Sequence, residues 1–391
     1  MSFIEARVVH RNHSGGVIQV FKPVGDSLTY YFKASDVSGL TYQIAQSDLI
    51  AADTFAPYRT DYELQFRYAG GAWTPVQAGI HVPIEMAANS GVVQVGGKDW
   101  GHYLEQPYFF NSYNVNADDL ALGHAAFLND PLSATTAFIK FWAVDTGLQT
   151  VITDLVAGTA ASIGLTPSFI GAGWAGAKPL NHEPIVFQDT TNIIDHIRSL
   201  SAMFDPYGFD FFVDWDKTIN FYNTRRNPTT PIYTLLDNST IADIPSWRNN
   251  GPLATHVVGL GPGSPAWWAF KKDQDNINTF RHWLKLETLG NAMHTGKGAK
   301  RLLREVKSAT NDLQFLFPHK DLSITIRPQA LNFVDPLDMF KNHCGDVLDI
   351  DYSGMLPYHR IDSLFWITGQ DFHNDSSGNW LCDLTLQQVY A

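Results

Sequence analysis

The stretch VQVGGKDWGHYLEQPYFF, residues 93–110, decides how the chain is read. Val93 and Val95 alternate with polar neighbours, as in a strand with one buried face. The pattern predicts that the strand ends at Gly96 and Gly97, which permit a tight exit. Asp99 is placed to cap a short helix on which Trp100, Tyr103 and Leu104 share an apolar side, and Pro107 releases the chain. Asp99, His102 and Glu105 are the tempting polar groups here. The reading that accommodates the apolar ones as well is structural: a lid on a β unit and a junction between domains.

Working back towards the N-terminus, GVIQVFK, LTYYFK, LTYQIA, YELQFRYAGGAW and GIHVPIEM are short alternating runs between turn residues, which predicts antiparallel sheet. Tyr62, Leu64, Phe66 and Tyr68 fall on one face, and Ala69-Gly70-Gly71 suits a hairpin. Working forward, the chain turns helical. Ala117–Leu128 and Val151–Ile163 are Ala-rich at helical spacing, and Ile193, Ile194, Ile197, Leu200 and Phe204 form a stripe behind Thr190-Thr191. FDFFVDWDKTINFY, residues 209–222, reads as a hairpin turning at Asp214–Lys217. Strand patterns return in ATHVVGLGPG, LSITIRP, DVLDIDYS, HRIDSLFWITG and WLCDLTLQQVY, with a helical candidate near 294–309 between them. The expected fold is mainly β with an α+β insertion: a β-barrel over 1–110, an α+β domain over 111–235 completed by 266–317, and a second β-barrel from 236–265 and 318–391.

At 391 residues the chain exceeds what one core usually serves, and 45% hydrophobic against 17% charged residues describes an ordered protein. The net charge of −12 argues against tight nucleic-acid binding, which needs a basic face. Cys344 and Cys382 lie outside any CxxC pattern, so free thiols made in a reducing cytoplasm are expected. No signal peptide or apolar run of membrane-spanning length is read.

Chemistry-bearing motifs are absent or imperfect. GNAMHTGKGAK (290–300) misses P-loop spacing and has Gly298 where a hydroxyl belongs, and GLGPGSP carries Pro262 and Pro265 against a dinucleotide helix. His10 with His13, His343 with Cys344, and His182-Glu183 before Pro184 do not form a zinc pattern. Asp210, Asp214 and Asp216 lack the glycine and final Glu of a calcium loop. Glu85 with Glu105, or Asp349 with Asp351, can be paired on paper as glycosidase carboxylates, but as strand residues they read as ordinary surface groups. No catalytic residue, cofactor or metal is therefore expected. Two features suit partners instead: the basic stripe Lys297, Lys300, Arg301, Arg304 and Lys307, and the pair Trp267-Trp268, a sugar platform or interface anchor unless it simply packs.

The order of these pieces resembles the baseplate hub and tail-tip hub proteins of tailed bacteriophages. The shared features are a strand closing in a V-x-G-x-D-W-like step, a Y-L-E-like triplet at Tyr103, Leu104 and Glu105, and the helix NIIDHIRSLSAMF leading into FDFFVDWDKTINFY. Pro336-Leu337-Asp338, His359-Arg360-Ile361 and the closing LCDLTLQQ complete them. Gln106 and Pro107 depart from relatives that often carry arginine there. The resemblance implies a non-enzymatic homotrimer at the virion tail tip, made in the host bacterial cytoplasm, with two barrels per chain in a pseudo-sixfold ring. Its implied partners are the tape-measure protein, the distal tail or tube protein ring and a central spike or fibre. The resemblance also implies that DNA passes through without specific binding and that the host membrane is met only indirectly. A glycan-binding or glycan-hydrolysing tail protein and a hexameric distal-tail or baseplate adaptor are the alternatives.

Overall fold

The computed structural model describes residues 4–48, 58–82, 91–105, 139–142, 146–160, 163–171, 174, 185–188, 192–203, 209–223, 230–236, 240–250, 254–261, 268–274, 277–278, 281–288, 306–307, 310, 319–331, 333–352 and 361–389. The N-terminal region gives seven strands, β1 (Ile4–Asn12), β2 (Val17–Phe21), β3 (Thr29–Lys33), β4 (Gly39–Ala45), β5 (Thr60–Tyr68), β6 (Thr74–Val82) and β7 (Val92–Asp99). In the middle come β8 (Ile139–Trp142), α1 (Leu148–Ala160), β9 (Thr166–Ile170), β10 (Ile185–Gln188), α2 (Ile193–Met203), β11 (Phe209–Val213) and β12 (Thr218–Asn223). Then follow β13 (Pro231–Leu236), β14 (Ile241–Asn250), β15 (His256–Leu260), β16 (Trp268–Lys272) and β17 (Leu284–Thr288). The chain finishes with β18 (His319–Ile326), β19 (Val347–Tyr352), β20 (Ile361–Asn374) and β21 (Trp380–Gln388).

The fold is mainly β, and its largest sheet has 13 strands in the order β14-β18-β21-β20-β3-β4-β7-β6-β5-β1-β2, with β19 and β13 branching from β20. No closed barrel is found among the described strands, and the two β regions are not separate. β20 pairs antiparallel with β3, setting Phe372 opposite Tyr30 and Gln370 opposite Phe32. The Tyr30 and Phe372 rings stack at 4.5 Å, and the Tyr30 hydroxyl donates to the Phe340 carbonyl at 3.1 Å. One core consequently runs from Val8, Leu64 and Phe66 through Tyr30 to Phe365, Trp380 and Leu384. Local alternation cannot announce such a seam, because the pattern of each strand is the same whichever neighbour it takes.

Alternation does place individual residues. Tyr62, Leu64 and Phe66 are buried to within 1%, and Ala69 and Gly70 turn at φ 48° and 76° into the β5–β6 hairpin. In α1 the residues Leu148, Val151, Ile152, Leu155 and Val156 form the buried stripe, so the helix begins one turn before the expected Val151. α2 buries Ile193, Ile194, Ile197 and Leu200 and is preceded by Asn192, whose carbonyl accepts from the His196 N–H. The expected helix at 117–128 and the starting Thr190-Thr191 lie outside the described residues.

α1, α2 and the three-stranded sheet β11-β12-β9 make a second core, with Phe211, Ile219 and Phe221 inward. The turn between β3 and β4 fastens it to the large sheet. Arg198 of α2 reaches Asp36 at 2.6 Å and the Ser35 carbonyl at 3.0 Å, while Ser35 (φ 54°) donates its N–H to the Phe211 carbonyl. A third, small sheet has the order β16-β15-β17. β15, grouped by sequence with residues 318–391, takes both its partners from the insertion.

Candidate functional site

The quoted stretch does not turn at its glycines. β7 continues through Gly96 and Gly97 to Asp99, with β4 on one side and β6 on the other. Close approach is the reason for the glycines. A Cβ on Gly97 would sit 2.5 Å from the Tyr62 ring, and one on Gly79, opposite Asp99, would sit 1.9 Å from the Lys98 carbonyl oxygen. The expected tight exit is thus replaced by a close approach within a packed strand.

Asp99 ends the strand fully buried. Its carboxylate accepts from the Ser38 N–H and the Gly101 N–H, each at 2.8 Å, and its own N–H donates to the Ser38 carbonyl. Burial pushes its pKa up to about 7, against the opposing pull of those N–H donors and of Lys98. Residues 100–105 then form a 3-10 helix. Trp100 and Leu104 are buried in the second core with Val151, Leu155, Ile194 and Ile197, and Tyr103 packs against it half-buried. The Trp100 indole N–H donates to the Trp215 carbonyl at 3.1 Å, and the Lys217 ammonium lies 4.4 Å from its ring centre. The segment therefore leaves the large sheet and inserts its apolar side among α1, α2 and the β11–β12 hairpin.

A polar rim surrounds this point. His102 bonds Glu105 at 2.5 Å and stacks with Tyr58, whose carbonyl faces His13 Nε2 at 3.1 Å; His13 Nδ1 meets Asp61 at 2.9 Å. These are paired side chains fixing turns to one another. Among the described residues no group of three or more His, Cys, Asp or Glu could hold a metal.

A junction of this kind, built into a sheet that spans both ends of the chain, invites comparison at the level of the whole molecule. No protein-family model matches the sequence, and no curated protein sequence does. Solved structures do match. A tail protein from Neisseria meningitidis MC58 aligns over 98% of this chain and 96% of its own at TM-score 0.56 and 12% identity. The 43 kDa tail protein of prophage MuSo2 from Shewanella oneidensis aligns over 98% of both at TM-score 0.55 and 12% identity. The chain has the fold of these tail proteins. The resemblance drawn from the motifs is borne out at that level, over nearly the full length of each.

Within the tail-protein fold the remaining candidates take up unremarkable positions. His10 is not in a turn with His13: it is buried in β1, its ring 4.4 Å edge-on from that of His81. His81 lies between the Tyr42 hydroxyl at 3.2 Å and the Thr60 hydroxyl at 3.3 Å. Burial lowers His10 to about 4 and His81 to about 3, so both are neutral near pH 7. Sequence reading missed this pair because His81 stands 71 positions away, on a strand buried on both faces where Gln77 is buried as well. His343 bonds Asp346 at 2.9 Å, and Cys344 and Cys382 are buried thiols outside any disulfide, Cys344 Sγ lying 4.0 Å from Gln370 Oε1.

Asp214 accepts from Asn220 and Asp216 from the Thr218 N–H, the hairpin turn expected of that run. Asp349 accepts from Thr234 on the neighbouring strand, and Glu105 is engaged by His102. Of the basic stripe only Lys307 is described, exposed beside the buried Val306. Lys297, Lys300, Arg301 and Arg304, with Glu85, Trp267, His182, Glu183 and the 290–300 glycine run, lie outside the described residues. Trp268 is 58% exposed.

Proposed function

We propose that this chain is a structural protein of a phage tail tip, a homotrimeric hub that continues the tail tube, carries a central spike or fibre and lets DNA through when the tip engages a cell. The observation that carries the reading is the full-length fold match to two tail proteins, one of them from a prophage. The architecture supports it: a sheet of 13 strands with side layers is a rigid frame suited to bearing load, and the junction at 99–105 ties that frame to the α+β layer through buried apolar contacts.

In this reading the N-terminal strands and the C-terminal strands act as the two tube-like units of each copy, so three copies present six such units to a sixfold tube. The acidic balance of −12 per copy suits a conduit in which DNA phosphates are repelled rather than held. The tape-measure protein and the distal tube ring would meet one end and the spike the other. The test combines mass measurement of the purified assembly with antibody labelling of intact particles. Three copies per ring and label at the tail tip are expected; a protein that stays monomeric at every concentration, or label elsewhere on the particle, overturns the proposal, and six copies select the adaptor reading instead.

A further inference from the structure

The small sheet β16-β15-β17 shows solvent the face that a sheet normally buries. Its register places Trp268, Phe270 and Lys272 of β16 opposite Leu260, Val258 and His256 of β15, which in turn face Thr288, Leu286 and Leu284 of β17. Opposed residues share a side, so these nine form one surface. On it Trp268, Phe270, Leu284 and Leu286 are 51–60% exposed, and Trp268 and Phe270 stack at 6.0 Å. The other side is where Val257 and Gly259 are buried. An apolar surface of this kind on a folded protein marks an interaction site.

Two facts identify its occupant. The insertion is basic in an acidic chain: residues 266–317 hold nine Lys and Arg against five Asp and Glu, a formal +4, which leaves −16 on the remainder. The chain also carries a second and different exposed apolar patch. Among the described strands β2 ends the large sheet and pairs with β1 alone, and it exposes Val17, Ile18 and Val20 at 44–57%. A closed ring with an odd number of copies needs two unlike surfaces, since each copy must give one and receive the other. An open, apolar edge strand is also a surface that a second chain can pair with or cover.

We propose that the exposed face of β15–β17 docks head to tail on the β2 edge of a second copy of this chain, with the basic insertion set against the acidic remainder of its neighbour. The inference rests on the ring reading above and names the surfaces that close the ring. It is tested on the full-length protein by sedimentation velocity with two double variants, L284E/L286E on the insertion face and I18E/V20E on the edge strand. All four positions are exposed, so each variant should keep the far-UV spectrum of the wild type and a cooperative melt, with any fall in melting temperature no larger than loss of assembly brings.

Each variant alone should lose the ring, its dissociation constant rising about 100-fold or more. An equimolar mixture of the two should give one-to-one dimers, because together they retain one intact copy of each surface. Added salt should weaken the wild-type ring. Variants that fold normally and still form rings overturn this inference and leave the hub reading standing, as does a mixture that yields no dimer. A wild-type chain that never assembles overturns both. Flotation of that monomer with phosphatidylserine vesicles, abolished in L284E/L286E, would assign the face to an anionic membrane instead and overturn docking on a second copy.

Discussion

The 13-stranded sheet and the three-stranded sheet of the insertion are built by the same alternation and end in opposite states. In the first, Tyr30, Phe66, Phe372 and Trp380 meet across strands that are hundreds of residues apart and exclude water. In the second, Trp268, Phe270, Leu284 and Leu286 alternate just as regularly and stay wet. The difference shows that alternation specifies a face and not what covers it. Where the chain itself supplies the cover, the result is a core; where it does not, the result is a surface looking for one.

The largest test of that contrast is Phe372→Ala. Removing the ring that stacks on Tyr30 at the seam should cost about 3–5 kcal/mol in urea unfolding. The N- and C-terminal β regions should still lose structure in one transition, and two separated transitions would mean that the seam does not couple them.

Acid is the next lever. His10 is neutral in the folded protein until about pH 4, whereas an unfolded histidine takes up a proton near pH 6.5, so the unfolded chain binds more protons between those values and stability falls as pH falls. From pH 7 to 5 the loss due to His10 should be about 2 kcal/mol, and His10→Phe should recover that amount in denaturant titrations at the two pH values. Asp99 acts in the opposite sense. Its carboxyl stays protonated in the fold up to about pH 7 while an unfolded Asp ionises near 4, so its contribution declines as pH rises through that window. Comparing His10→Phe with the wild type across both pH windows separates the two.

Gly97→Ala comes third. The added methyl meets the Tyr62 ring and should cost about 1–3 kcal/mol, and a double-mutant cycle with Tyr62→Val should show that part of this cost disappears when the ring is gone. The smallest effect belongs to the insertion. Leu286→Ser should change the unfolding free energy of the isolated chain by less than about 0.5 kcal/mol, because the side chain is already in water. A loss comparable to that of a core leucine would show that the face is covered within one copy.

These expectations also mark what the sequence could tell. Local structure was legible where one residue type repeats at one period: the inward Tyr62, Leu64 and Phe66, the stripe of α2, the turn at Asp214–Lys217, and Trp100 with Leu104 as an apolar anchor. The short motifs also carried the overall likeness to tail proteins. Pairings between distant strands were not legible, because Tyr30 has no local reason to prefer Phe372, and β15 reads the same beside β18 as beside β16. Gly97 was misread for a related cause. Glycine in a sequence signals freedom or proximity equally well, and only the position of Tyr62 shows that here it is proximity.

The seam between β3 and β20 has a consequence for how copies are made. The partner of residues 29–33 is the strand Ile361–Asn374, so during synthesis the first strands wait for more than three hundred residues before their sheet can be finished. Long-range pairing of this kind slows folding and leaves strand edges open in the meantime. It also acts as an inspection step. A chain cut short before residue 361 lacks Phe372, Trp380 and the strands that hold Tyr30 in place, so such a product should fail to fold and be degraded.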